Sequence, residues 1–188
     1  MTSPDPVASA FSAQPRQGFL RRAERRRAGH DGPLAIGHGQ TSSQPRTVAA
    51  MLGLLEVRPG QSVLDVGAGS GWTTALLADL TGPTGRVRGV ELEPDLVAFG
   101  SANLAATHQP WASLEQALPD VLGLPDHAPY DRILVSADPG ELPPELVDQL
   151  GDGARMVIPV AGTMLLVVRD RSRLDVTEHG RYRFVPLR

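Results

Sequence analysis

The chain has 188 residues, 18 basic side chains of lysine or arginine type against 21 acidic ones, and no cysteine. That length suits one domain with a sizeable core, a net charge of -3 gives no general argument for nucleic acid or an acidic surface, and the lack of cysteine excludes disulfides and thiolate catalysis. No apolar run approaches the roughly 20 residues that cross a bilayer, and the N-terminus has no apolar core of signal-peptide type, so a cytoplasmic protein is expected.

Residues 1–17 are rich in Pro, Ser, Ala and Gln and read as a flexible arm, with a single domain from 18 to 188. Phe19 to Arg27 reads as a helix carrying Arg21, Arg22, Arg25, Arg26 and Arg27. A solvated basic face is the plain reading of that cluster, and attraction of a polyanion is the alternative. Thr41, Ser42 and Ser43 taken alone read as a turn or cap.

Strand 62–66 ends the apolar run Val63-Leu64-Asp65-Val66 and breaks into Gly67-Ala68-Gly69-Ser70-Gly71. A helix over 72–80 follows, with Leu76, Leu77 and Leu80 on one face. Strand, glycine turn and helix together open a nucleotide-binding βαβ unit. The glycines let backbone approach a ligand, and the helix start offers free N–H groups. A dinucleotide fingerprint requires a small residue where Trp72 stands, which argues against pyrophosphate. A G-x-G-x-G loop after an acid points instead to S-adenosylmethionine, with Asp65, Gly67, Ala68, Gly69 and Gly71 as candidate cofactor residues. Strand 86–91 ends in Glu91, 26 positions after Asp65, where an acid commonly accepts hydrogen bonds from ribose hydroxyls.

Helices over 95–106 and 142–150 and strands over 111–115, 130–136 and 154–160 continue the alternation, the second helix being introduced by Pro143 and Pro144. Such alternation predicts a mostly parallel sheet covered on both faces. Met164–Arg169, Leu174–Glu178 and Tyr182–Val185, joined by short polar turns, predict an antiparallel C-terminal hairpin. The fold class is therefore α/β, Rossmann-like, as in class I S-adenosylmethionine-dependent methyltransferases. Ligands of such sheets bind beyond the strands' carboxyl ends, where Gly67–Gly71, Glu91 and Ser136–Pro139 fall. The five histidines lack zinc-site spacing, so no metal is expected.

Pro33-Leu34-Ala35-Ile36-Gly37-His38-Gly39-Gln40-Thr41-Ser42-Ser43-Gln44-Pro45 closely resembles the P-L-x-I-G-x-G-Q-T-I-S-Q-P signature of protein-L-isoaspartate O-methyltransferases, with Ser42 in place of the isoleucine. The resemblance extends through Val63–Gly71, Val90-Glu91, Tyr130–Pro139 and Arg183–Leu187, and covers most of the chain from about Phe19 onward. It implies methyl transfer from S-adenosylmethionine to the free carboxylate of L-isoaspartyl residues in damaged proteins, by a monomer. By the same resemblance Ser43 and Thr41 are the catalytic positions, and Ser42, Ser136 and Ala137 lie around the substrate. Two departures stand out. The family's Gly-Asp-Gly at the adenine end is Gln116-Ala117-Leu118 here, so Glu115 or Gln116 is either a substitute contact or plain surface. Asp138 replaces an alanine beside the presumed carboxylate site, and like charges 4 Å apart repel by about 4 kcal/mol at an effective dielectric near 20. Asp138 must therefore point away or change substrate choice. Two other readings stay open: a carboxyl methyltransferase for an aspartate of a dedicated peptide partner, and a non-catalytic S-adenosylmethionine-binding interaction protein.

Overall fold

The computed structural model describes residues 5–188. A helix, α1 (Pro6–Ala13), stands where the flexible arm is expected, and residues 1–4 of that arm lie outside the described residues. Asp5 starts the helix by accepting the Val7 N–H at 3.0 Å, and Pro6 at its first position lacks only a hydrogen that would be unpaired there. What holds it is tertiary: Ala10 is fully buried and Phe11 meets the Trp72 ring edge-on at 5.4 Å. The helix expected over 19–27 is replaced by two short 3-10 turns, Arg16–Phe19 and Arg25–Arg27. Here Arg21 and Arg25 spend their side chains on the carbonyls of Ile36 and Leu20, and Arg21 stacks over Phe99. These contacts fix the basic segment against the body in place of a regular helix.

A small hairpin follows, β1 (Leu34–Gly37) and β2 (Gln40–Ser42), and then α2 (Pro45–Leu55). The main sheet contains β3 (Ser62–Val66), β4 (Arg86–Glu91), β5 (Ala112–Gln116), β6 (Tyr130–Val135), β7 (Leu150–Val160), β8 (Thr163–Asp170) and β9 (Arg173–Arg181). The helices between its strands are α3 (Trp72–Thr81), α4 (Pro94–Ala105) and the short α5 (Pro144–Asp148). Strand order is β5-β4-β3-β6-β7-β8-β9; the first five are parallel, and β7, β8 and β9 pair antiparallel. The C-terminal part is thus a three-stranded meander on a parallel sheet. Tyr182–Val185, expected as a strand, is extended but unladdered, and the helix expected over 142–150 yields Leu150 to β7.

Alternation along the strands builds two cores. Val63, Val87, Leu134 and Val157 face the layer containing α1, α2 and α3, where Leu52, Leu55, Leu76 and Leu77 bury. Leu64, Val66, Ile133, Val135, Met156 and Ile158 face the other way, against Leu146 and Val147 of α5. Burial on both faces explains why these strands read as near-continuous apolar runs. The order reverses at β3, whose neighbours are β4 on one side and β6 on the other. A crevice opens at such a reversal beyond the strand ends.

Candidate active site

Gly67–Gly71 sits in that crevice. The N–H groups of Gly67 and Ala68 both bond the Val90 carbonyl, at 2.9 and 3.1 Å, which tucks the loop over the end of β4. Gly69 has φ +54 and Gly71 φ +82, left-handed values that favour glycine. At Gly71 space matters as well, because a Cβ there would stand 3.0 Å from the Gly100 carbonyl oxygen and 3.2 Å from Leu104. Gly71 therefore lets α4 pack against the loop and caps α3, and it does not itself line the cleft.

The Asp65 carboxylate is fully buried beneath the loop, where one oxygen accepts the hydroxyls of Thr73 and Thr74, each at 2.7 Å. The other oxygen has no partner among the described residues. Burial pushes its pKa up to about 6, against the lowering effect of the two hydroxyls. The strand's alternation turns this residue toward α3, where it fixes the start of that helix.

Glu91 does face the cleft. One oxygen accepts the Gly69 N–H at 2.9 Å; the other accepts those of Leu92 at 2.8 Å and Glu93 at 3.0 Å. A carboxylate has about four acceptor positions, so capacity remains for a hydroxyl donor. Gln116 turns its amide onto the carbonyls of Glu91 and Leu92 and does not line the cleft. The wall beyond it is instead Ala117 to Gly123, with Leu118 largely exposed.

Across the cleft stand Thr41 at β2, buried Ser42, and Ser43 just before α2. Their backbone is held by a residue that nothing in the sequence singles out. Arg16 is buried, and its guanidinium donates to Ser42 Oγ at 3.1 Å and to the carbonyls of Ser42 (2.8 Å), Ser43 (2.9 Å), His30 (3.0 Å) and Gly32 (3.0 Å). It also lies over the Trp72 ring, 5.5 Å from its centroid. Burial lowers its pKa to about 10, partly countered by Asp31, so it remains a cation at neutral pH.

Ser136, Ala137 and Pro139 complete the wall at the end of β6. Asp138 turns away from it and accepts the N–H groups of Gly140 (2.8 Å), Gly162 (2.9 Å) and Ala161 (3.0 Å). Partial burial would raise its pKa, but those three donors hold it below the usual carboxylate range. The charge feared beside the substrate is thus spent on anchoring the β7–β8 turn.

The resulting cleft has a volume of about 470 Å³ and brings together Thr41, Ser42, Ser43, Gly67, Ala68, Gly69, Glu91, Ser136 and Ala137 of the expected residues. It also takes in Ile36, Ser70, Trp72, Thr73 and the terminal Val185–Arg188, which sequence reasoning did not assign to it. Trp72 is mostly buried and packs on α1, with its N–H bonded to the Gln14 carbonyl. His38 reaches Glu93 and Asp95 outside the hydroxyl pair. Among the described residues no group of three potential ligands could hold a metal. No helix among them is long and apolar enough to cross a membrane.

The chain matches the family model of protein-L-isoaspartate(D-aspartate) O-methyltransferases over residues 1–188. A protein-L-isoaspartate O-methyltransferase of Aeropyrum pernix is 44% identical over 190 residues, covering 96% of this chain and 72% of the relative. A solved structure of that same name superposes with TM-score 0.87 at 25% identity, over 97% of this chain; this chain spans only 61% of that longer one. A crystal structure from Plasmodium falciparum, described as a putative protein-L-isoaspartate O-methyltransferase in complex with S-adenosyl-L-homocysteine, gives TM-score 0.84 at 25% identity over 100% of this chain and 92% of that one.

Proposed function

The chain belongs to the protein-L-isoaspartate(D-aspartate) O-methyltransferase family, and from that premise we propose that its cleft methylates the free carboxylate of L-isoaspartyl residues in damaged proteins, with S-adenosylmethionine as donor. One observation carries the reading: a pair of neutral hydroxyls, Thr41 and Ser43, shares a single cleft with a glycine loop and the carboxylate of Glu91. The cleft suits the donor. Its volume falls in the range of small-molecule sites, the left-handed Gly69 leaves backbone bare at its floor, and Glu91 keeps unused acceptor capacity. Gly67–Ser70 and Glu91 are the residues that would hold it. When bound, S-adenosylmethionine supplies an electrophilic methyl group on a cationic sulfur.

The residues of the chain have a positioning task. An isoaspartyl carboxylate has an ordinary pKa near 4 and is already ionised at neutral pH, so no general base is needed. Ser43 and Thr41 donate hydrogen bonds that orient it, and orientation of reactants supplies up to about 7–11 kcal/mol in favourable cases. Neutral donors fix the carboxylate without quenching its nucleophilicity as a guanidinium or ammonium would. Asp138, tied by three N–H groups to the β7–β8 turn, directs its charge away from the incoming anion. One chain supplies the hydroxyls, the loop and Glu91, which supports action as a monomer, and the absence of cysteine accords with work in the cytoplasm.

The test is a paired assay on one peptide synthesised with an isoaspartyl or a normal aspartyl linkage. Methyl incorporation into the isoaspartyl form alone is expected. Equal methylation of both, or S-adenosylhomocysteine binding without any turnover, would overturn the reading.

A further inference from the structure

We propose that a second hollow, beside the cleft, seats the peptide flanking the isoaspartyl residue and selects flanks that carry acidic side chains. This rests on the function proposed above. The hollow has a volume of about 710 Å³ and shares Thr41, Ser43, Ser136 and Val185 with the cleft. A carboxylate that reaches Ser43 therefore leaves its own chain lying in this hollow.

Its far wall is the extended segment 181–185. One end is pinned by the Tyr182 N–H on the Gly162 carbonyl at 2.9 Å, the other by the Val185 carbonyl accepting the Asp138 N–H at 2.8 Å. Between the pins, the N–H groups of Arg183 and Phe184 make no hydrogen bond among the described residues; because successive N–H groups of an extended segment point to opposite sides, one of the two is available to an extended peptide on this wall. Alternation sorts the side chains: Tyr182 and Phe184 pack on the core, whereas Arg181 and Arg183 are exposed. Arg46, at the start of α2, completes the basic rim.

The charge of the hollow is one-sided. Among the described residues no aspartate or glutamate lines it. Arg46 pairs with Asp31 at 2.8 Å, but among the described residues Arg181 and Arg183 have no carboxylate within ion-pair distance. Asp138, the acid nearest this wall in the backbone pairing, is held by N–H groups on the turn. Two uncompensated guanidiniums thus border the approach to Ser43, and each can pair with a flanking carboxylate at a solvent-exposed site, where the effect is modest and weakened by salt.

The experiment uses one isoaspartyl peptide with its neighbouring positions occupied by Glu, Gln or Lys, assayed at low and at about 0.5 M salt. The expected order of kcat/KM is Glu over Gln over Lys, about 3- to 5-fold per step, with the differences shrinking in high salt. In R181Q/R183Q the Glu-to-Lys ratio should fall toward one, and in R181E/R183E it should invert. Equal kcat/KM for the three peptides, a preference for Lys, or a ratio unchanged in both variants would overturn the inference while leaving the proposed function standing. Failure of the wild type to methylate any of the three, with S-adenosylhomocysteine still bound, would refute the proposed function and this inference with it.

Discussion

Replacing Arg16 by methionine keeps a long unbranched side chain in the slot and removes all five of the guanidinium's hydrogen bonds at once. Each buried acceptor left unpaired costs about 1–3 kcal/mol. The full sum is not reached, because the His30 and Ser43 bonds are only part-buried, so water can replace them, and the buried cation's desolvation is recovered. A net loss of about 3–5 kcal/mol follows, as when one partner of a buried charged network is removed. That is a large share of a typical stability of about 5–15 kcal/mol. With a urea slope of about 2 kcal/mol/M the midpoint should fall by about 2 M. Three of the lost bonds end on Ser42 and Ser43, so kcat on an isoaspartyl peptide should drop more than about tenfold. S-adenosylhomocysteine affinity, which depends on the other wall, should change little. Arg16→Lys offers three donors to five acceptors and should recover part of both losses. A urea midpoint within about 0.5 M of the wild type, together with an unchanged kcat, would refute the view that this cation holds the hydroxyl pair.

Ser43→Ala should lower kcat about 100-fold, the usual effect of losing one preorganised donor, while calorimetry finds S-adenosylhomocysteine binding nearly unchanged. Thr41→Ala should act in the same direction, non-additively with it. Asp65, raised by burial to about 6 from the ordinary 3.8, binds its proton more tightly folded than unfolded, so it favours the folded state most below pH 4, and that contribution is lost as pH rises to 6. Urea titrations of Asp65→Asn should therefore move relative to wild type by about 2 kcal/mol in the variant's favour between pH 4 and pH 7; a gap independent of pH would contradict the burial argument. Gly71→Ala should lower the melting temperature by several degrees, about 1–3 kcal/mol, because its Cβ meets the Gly100 carbonyl at 3.0 Å in a left-handed conformation.

The legible parts of the molecule are those whose signals are local. Strand, glycine loop and helix around Gly67–Gly71 announce themselves within a short span, and Glu91 lies at the next strand's end. Helix α2 carries an equally local signal that the strand-and-helix alternation further on overshadows: Pro45 at its first position, then Val48, Met51, Leu52 and Leu55 on one face. Other features depend on contacts far along the chain. The five acceptors of Arg16 lie 14 to 27 residues away, and no pattern near residue 16 indicates them. Residues 6–17 look too polar to fold alone, and are ordered by resting Ala10 and Phe11 against a helix that begins only at Trp72. Asp65 and Gln116 sit at strand ends beside the cleft, yet which way such side chains turn is decided by neighbouring threonines and carbonyls, not by position.

The shared wall between cleft and hollow has a kinetic consequence. Thr41, Ser43 and Ser136 form a partition with a ligand space on either side. A separate space for each reactant predicts that there is no compulsory order of addition. Initial-rate plots should intersect, with S-adenosylhomocysteine competing against the methyl donor yet not against the peptide. A damaged protein held in the hollow can then await a fresh donor without first being released, so encounter with a rare substrate is not forfeited each time the donor site empties.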